Sequence, residues 1–325
     1  MIGALRGLAA LAVVTFHVIN APIGFETNGF VRGLAVNGAH GVQVFFVISG
    51  LVIPLSLMRK GYRWPGLGRF MWKRSIRLEP TYLVVLLASL AMLPARAWVI
   101  GEPVEAFPTM QELLLNVFYL IPFTDYDWMN SVFWTLGIEL QFYLLCAVLF
   151  GLKRKSVASG LIYALPFASA LLASVTTKMF VTHWLDFFLA GGFVAMHIEG
   201  RISKEKLGVL LILCHLSAGM THGHYFASIL TLTVLVILFL PNRNGGRILQ
   251  FLGRQSYSLY LIHTLVGITI VNAAMRYTDH QYPLVHWGVI LVAVLASVGA
   301  AQLLYVLVER PTMNWSKKVQ VNSSS

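Results

Sequence analysis

The sequence predicts an all-α fold: a polytopic membrane helix bundle of about ten transmembrane helices, with both termini cytoplasmic. Three observations carry this. Hydrophobic residues make up 57% of the chain and charged residues 11%, a balance that a soluble globular domain does not need. Apolar stretches of roughly bilayer length recur from end to end. The basic residues lie between those stretches, and nearly all of them fall on one side. The net charge of +11 therefore reads as an orientation signal, and no nucleic-acid partner is expected.

The expected spans run approximately over 2–20, 39–58, 78–98, 131–150, 157–175, 183–198, 207–221, 225–241, 256–275 and 284–308. Several approach the short limit for a span, the seventh most of all. Residues 109–122 are too short and too interrupted to cross, and read as an interfacial helix. With a cytoplasmic N-terminus, 20 of the 24 Lys and Arg residues fall inside, among them Lys153 to Lys155 and Arg243. Arg32, Arg96, Lys178 and Arg276 fall outside. A missed span would reverse every later segment and blur that split. The chain thus reads as one transmembrane domain over 1–315 and a short cytoplasmic tail over 316–325, in a plasma membrane of bacterial (inner-membrane) type. The first segment has no A-x-A site and keeps polar residues within it, so it is not expected to be cleaved. Cys146 and Cys214 both lie inside apolar runs and suggest neither a disulfide framework nor a zinc site.

The first span is apolar except at Arg6, Thr15 and His17. Eleven positions separate Arg6 from His17, about 16 Å along a helix and about three turns, so both side chains face nearly the same way. A snorkelling Arg and a satisfied His would explain each residue alone; a shared face directed to a bundle interior is the functional reading. Of the 13 acidic residues, Glu139 and Asp186 are counted inside spans. Glu139 is expected at the depth of His17, which makes the two a candidate base and orienter. Residues 59–77 carry seven cations, and Arg74 and Arg77 have helical i, i+3 spacing, so their guanidinium groups can converge. Anionic headgroups would suit this segment; so would a polyphosphate, which Arg binds bidentately. Phosphate at the inner face and a titratable His about 16 Å away suit a long ligand with an anionic head and a reactive tip. Coenzyme A has that shape.

Six motifs then occur in order. Arg6-Gly7-Leu8-Ala9-Ala10-Leu11 leads to Phe16-His17, and Gly41-Val42-Gln43-Val44-Phe45-Phe46 leads to Ser49-Gly50. Phe70 to Arg74 is followed by Arg77, Pro80 and Tyr82. Trp134 to Tyr143, Leu252 to His263 and Glu309-Arg310-Pro311 complete the set. Together they resemble acyltransferase family 3, integral membrane O-acyltransferases that act on surface carbohydrates and some natural products. Residues 150–245 match only in general character. Gly3 stands where the family usually has Asp, and the chain starts at the first motif without the usual short leader. It is similar to the stand-alone form, without the esterase-like domain that some members carry.

The resemblance implies transfer of an acyl group, often acetyl, from acetyl-CoA as the donor substrate to a carbohydrate or glycolipid hydroxyl met from the outer side, with no bound cofactor. On this reading His17 is the general base, or briefly an acyl carrier. Glu139 orients it or meets the acceptor, and Arg6, Arg74 and Arg77 hold the phosphates. His263, Asp186 and Tyr143 are acceptor-contacting or path-lining positions. Ser49, Gly50 and the Gly191-Gly192 pair permit close helix approach. His222 and His224 read as a solvated loop, with no metal expected. Trp98, Tyr126, Trp128, Trp184 and Trp287 read as interfacial anchors. The alternative is a transporter or flippase of a sugar or lipid-linked substrate, although no inverted repeat is visible.

Overall fold

The computed structural model describes residues 1–20, 33, 35–62, 66–100, 107–151, 161–241, 245–277 and 283–319. Arg32, Arg63, Lys153 to Lys155, Arg243 and the end of the expected tail, 320–325, lie outside the described residues, as do the side chains of Arg96 and Trp98. Every regular element among the described residues is helical. Each of the ten expected segments overlaps one or more helices among the described residues. Five helices are long and apolar enough to cross a membrane by length and composition, and three shorter helices are also apolar. Leu171, Leu232, Leu295 and Leu303 point outward, exposed, as a lipid-facing rim requires.

Helix α1 (Ile2–Ile19) buries a face of small residues, Ala4, Gly7, Ala9 and Ala10, followed by Val13, Val14 and Val18. Small side chains allow backbones to approach in a membrane, where apolar burial alone gives no drive to associate. Helix α2 (Gly41–Arg59) is buried on nearly all sides. Helix α3 (Leu67–Ala91) corrects the sequence reading, because the basic segment is not a loop. From residue 67 it is the first part of the helix that continues into the third expected span, with Gly68 confined to its first turn and no Pro until Pro80. Helix α4 (Leu93–Ile100) follows as a separate piece. Helix α5 (Met110–Val117) falls within the expected interfacial segment. The Thr109 hydroxyl accepts from the Glu112 N–H, and the Glu112 carboxylate accepts from the Thr109 N–H, a reciprocal cap that starts the helix.

Helices α6 (Trp134–Gly151), α7 (Leu161–Val175), α8 (Leu185–Ile198), α9 (Lys204–His222) and α10 (His224–Phe239) follow. Helix α8 lies closely against α2. A Cβ on Gly191 would sit 2.6 Å from the Leu51 nitrogen and meet the Val47 carbonyl oxygen; one on Gly50 would meet the Phe188 carbonyl. Helix α11 (Gly246–Arg254) packs on the start of α1, where a Cβ on Gly253 would strike the Gly3 carbonyl. Helix α12 (Ser256–His263) runs through a π-helical turn, Thr264–Ile268, into α13 (Thr269–Tyr277). Helix α14 (Pro283–Leu304) runs through another, Tyr305–Glu309, into α15 (Arg310–Lys318). Such wide turns often accompany functional sites.

Two further expectations change. His222 is not in a solvated loop: its side chain is 4% exposed and closes α9. Trp184 is not an interfacial anchor but a core residue, its ring parallel to that of His222 at 4.8 Å and close to Trp134 and Phe46. Gly191→Ala should separate α2 from α8, because backbone atoms cannot yield as a side chain would. A loss of about 1–3 kcal/mol is expected, read as a lowered Tm of the detergent-solubilised protein. An unchanged Tm would contradict the close packing.

Candidate active site

The basic face and the first helix meet in the bundle. The Arg6 Nε–H donates to Ser256 Oγ at 3.1 Å, and its guanidinium carbon lies 5.9 Å from the Phe45 ring centre. The Arg74 guanidinium lies over the rings of Phe70 and Tyr143, at 5.5 and 5.4 Å; its Nε is buried with no hydrogen-bond partner among the described residues. Arg77 is near enough to both arginines to interact electrostatically, and Glu139 likewise. Glu139 Oε1 accepts from Ser49 Oγ at 2.9 Å and from Tyr143 Oη at 2.5 Å. The structure therefore brings together Arg6, Arg74, Arg77, Glu139 and Tyr143.

On the cytoplasmic side of the expected topology, the ammonium of Lys73 donates to the Val319 carbonyl at 2.8 Å. Burial first, then the neighbouring cations Lys60 and Arg74, hold its pKa below the usual lysine value. Crowded cations of this kind favour an anionic ligand.

Two small cavities flank Glu139. One of about 50 Å³ is lined by Arg6, Ser49, Thr135, Glu139, Ser256 and Tyr260, among others. The other, about 20 Å³, is bounded by Arg74, Glu79, Tyr119, Glu139 and Tyr143. Each has room for water, not for a pantetheine arm. Neither of these two cavities reaches His17. Tyr260 lines the first, its hydroxyl accepting from Thr135 Oγ1 at 3.0 Å.

The two histidines sit beyond it. His263 is fully buried, and its ring centre lies 5.9 Å from that of Tyr260. Its Nε2 is 3.1 Å from His17 Nδ1, which corrects one expectation. Glu139 is not the hydrogen-bond partner of His17 among the described residues; His263 is, and the two imidazoles share one depth. The contacts define the tautomers. His263 Nδ1 faces the carbonyls of Tyr260 at 2.7 Å and Leu259 at 3.2 Å. Carbonyls only accept, so that nitrogen carries hydrogen and Nε2 is left as an acceptor. His17 Nδ1 faces the Val13 carbonyl at 2.9 Å as well as His263 Nε2, so it too carries hydrogen. The lone pair of His17 is then on Nε2, which has no hydrogen-bond partner among the described residues.

Asp186 stands apart from both groups. It is buried, accepts from the Phe187 N–H at 3.0 Å, and lies 3.8 Å from His222 Nε2.

A sequence model of the acyltransferase domain matches residues 2–306. The chain belongs to acyltransferase family 3. This membrane acyltransferase, which moves groups other than aminoacyl groups, is 27% identical to an exopolysaccharide production protein, ExoZ, of Rhizobium meliloti, over 88% of this chain and 93% of that one. It is 28% identical to nodulation protein 10 of Rhizobium leguminosarum, over 95% of this chain and 92% of that one. A provisionally named O-acetyltransferase of Staphylococcus aureus is 25% identical over 96% of this chain, which spans 58% of that protein's length. No solved structure matches.

The acyltransferase also uses residues that the sequence reading passed over. Glu79, at the edge of the third expected span, accepts from Tyr119 Oη at 3.2 Å. Buried Glu309 accepts from the Ser258 N–H at 3.1 Å and from its hydroxyl at 2.6 Å. Ser258 is in the first turn of α12, where N–H groups have no partner within the helix, so the carboxylate caps the helix that carries Ser256 and His263. The signal was present in the closing Glu309-Arg310-Pro311 motif but named no partner. Glu309→Leu should leave that end unsatisfied and lower stability by about 1–3 kcal/mol. Thermal melts of detergent-solubilised protein would show it, and Glu309→Gln should recover part of the loss.

Proposed function

We propose that the protein is an O-acetyltransferase that moves an acetyl group from cytoplasmic acetyl-coenzyme A to a hydroxyl of a carbohydrate-type acceptor met from the outer side, in a bacterial inner membrane. The observation that carries this is the contact of His17 Nδ1 with His263 Nε2 at 3.1 Å, which leaves the His17 Nε2 lone pair to take a hydroxyl proton. His17 Nε2 removes that proton as the acceptor oxygen attacks the thioester carbonyl. The new C–O bond forms, the C–S bond breaks, and the proton passes from His17 to the departing thiolate. His263 is a positioning residue: its Nε2 accepts from His17 Nδ1–H and steadies the imidazolium during the transfer. Arg6, Arg74 and Arg77 hold the donor phosphates. Glu139, with Ser49 and Tyr143, sets the guanidinium positions before the donor arrives. Tyr260 must swing aside for the thioester to reach the histidines.

The relatives named for exopolysaccharide production, nodulation and O-acetylation support a carbohydrate acceptor. Membranes containing the protein and labelled acetyl-coenzyme A should yield an acetylated acceptor. His17→Ala should reduce labelling by about 10²-fold or more at equal expression, and full activity would reject the assignment. Substrate movement with no covalent change would favour a transporter. His263→Phe should lower kcat, leave the donor KM near its starting value and shift the pH profile of kcat; a purely structural loss would lower the Tm without moving that profile. Arg77→Ala should raise the donor KM by roughly tenfold, and an unchanged value would remove Arg77 from the phosphate site.

A further inference from the structure

A third cavity, of about 610 Å³, is far larger than the two beside Glu139. Its volume is in the range of small-molecule sites. Its walls come from α4, α5, the segment 125–131 and the π-helical turn after His263. Three features define its chemistry.

Its charge is opposite to that of the chain. Glu112, Asp125 and Asp127 line it, and no Lys or Arg does among the described residues. In a protein of net charge +11, that makes a local negative field, focused by a concave wall. Its lining also suits polyols. The carboxylates can bond hydroxyl groups, and Tyr126 and Trp128 add aromatic rings to the lining, suited to C–H-rich surfaces.

The walls are already set in place. Asn116 is fully buried; its Oδ1 accepts from the Met129 N–H at 3.0 Å, and its Nδ2 donates to the carbonyls of Glu112 at 3.0 Å and Asp127 at 3.5 Å. One amide thereby ties the 125–131 segment to α5. One wall belongs to the helix that carries His263. Thr264, which donates to Asn130 Oδ1 at 2.9 Å, lines the cavity and directly follows His263, the partner of His17.

We propose that this cavity is the acceptor subsite, that it takes uncharged or cationic saccharides, and that Asp125 and Asp127 reject acidic ones. The proposal rests on the acetyl-transfer reading and adds the charge class of the acceptor. Rejection follows from bringing a uronate carboxylate beside two fixed carboxylates, a repulsion that no cation among the described lining residues offsets.

The full-length protein in detergent at low ionic strength provides the test, by tryptophan fluorescence titration with three tetrasaccharides. Chitotetraose is neutral, the glucosamine tetramer cationic and tetragalacturonate anionic. Tetragalacturonate should bind at least about tenfold more weakly than chitotetraose, and added salt should narrow the gap. The D125N/D127N variant should bring the two within about threefold, whereas D125E/D127E, which keeps the charge, should preserve the gap. Equal binding of tetragalacturonate by the parent protein, a gap that persists in D125N/D127N, or no saturable binding of any tetrasaccharide would overturn the proposal. Any of these could occur while His17-dependent acetyl labelling persists, so the acceptor subsite can fail without the transfer reading failing.

Discussion

A guanidinium inside a bilayer needs a carboxylate nearby, and Arg6 and Arg74 share one. The nine Leu, Ile, Val and Phe residues of α1 contribute about 4 kcal/mol toward insertion, against about 3 kcal/mol opposed by a central Arg. The margin is thin without a counter-charge. Glu139 supplies it, held by the Ser49 and Tyr143 hydroxyls. Helices α1, α2, α3 and α6 therefore meet at one acidic side chain. Around that point the close packing of Gly50 against Phe188 and of Gly191 against Val47 becomes useful, because it fixes the helix that carries Ser49.

The helical character and the membrane setting were legible because hydropathy reports burial in lipid directly. The Arg6 and His17 face was legible because helical spacing is local. The partner of His17 was not, since 246 positions separate it from His263 and no local pattern encodes a contact between distant helices. Depth reckoning failed for the same reason: counting residues from expected span ends placed Glu139 beside His17. The capping role of Glu309 was hidden in a motif whose partner lies 51 positions earlier. Residues 67–77 of the basic segment proved helical because a high density of charge hides a helix from hydropathy while Arg, Lys and Met remain good helix formers.

The arrangement divides the chemistry by charge. Cations gather where a polyphosphate head would rest, carboxylates line the large cavity, and two imidazoles stand near both. The π-helical turn begins at Thr264, directly after His263, and widens the helix there. A single helix can in this way offer one residue to each compartment.

Tyr260 has a further consequence. A file of Arg, Glu and His side chains running through a membrane protein is also a potential wire for protons. An uninterrupted column of water along it would dissipate the gradient on which the cell depends. The two cavities beside Glu139 hold only about 50 and 20 Å³, and a phenol anchored to Thr135 lines the larger one, so the space that water could occupy between these ionisable groups is short.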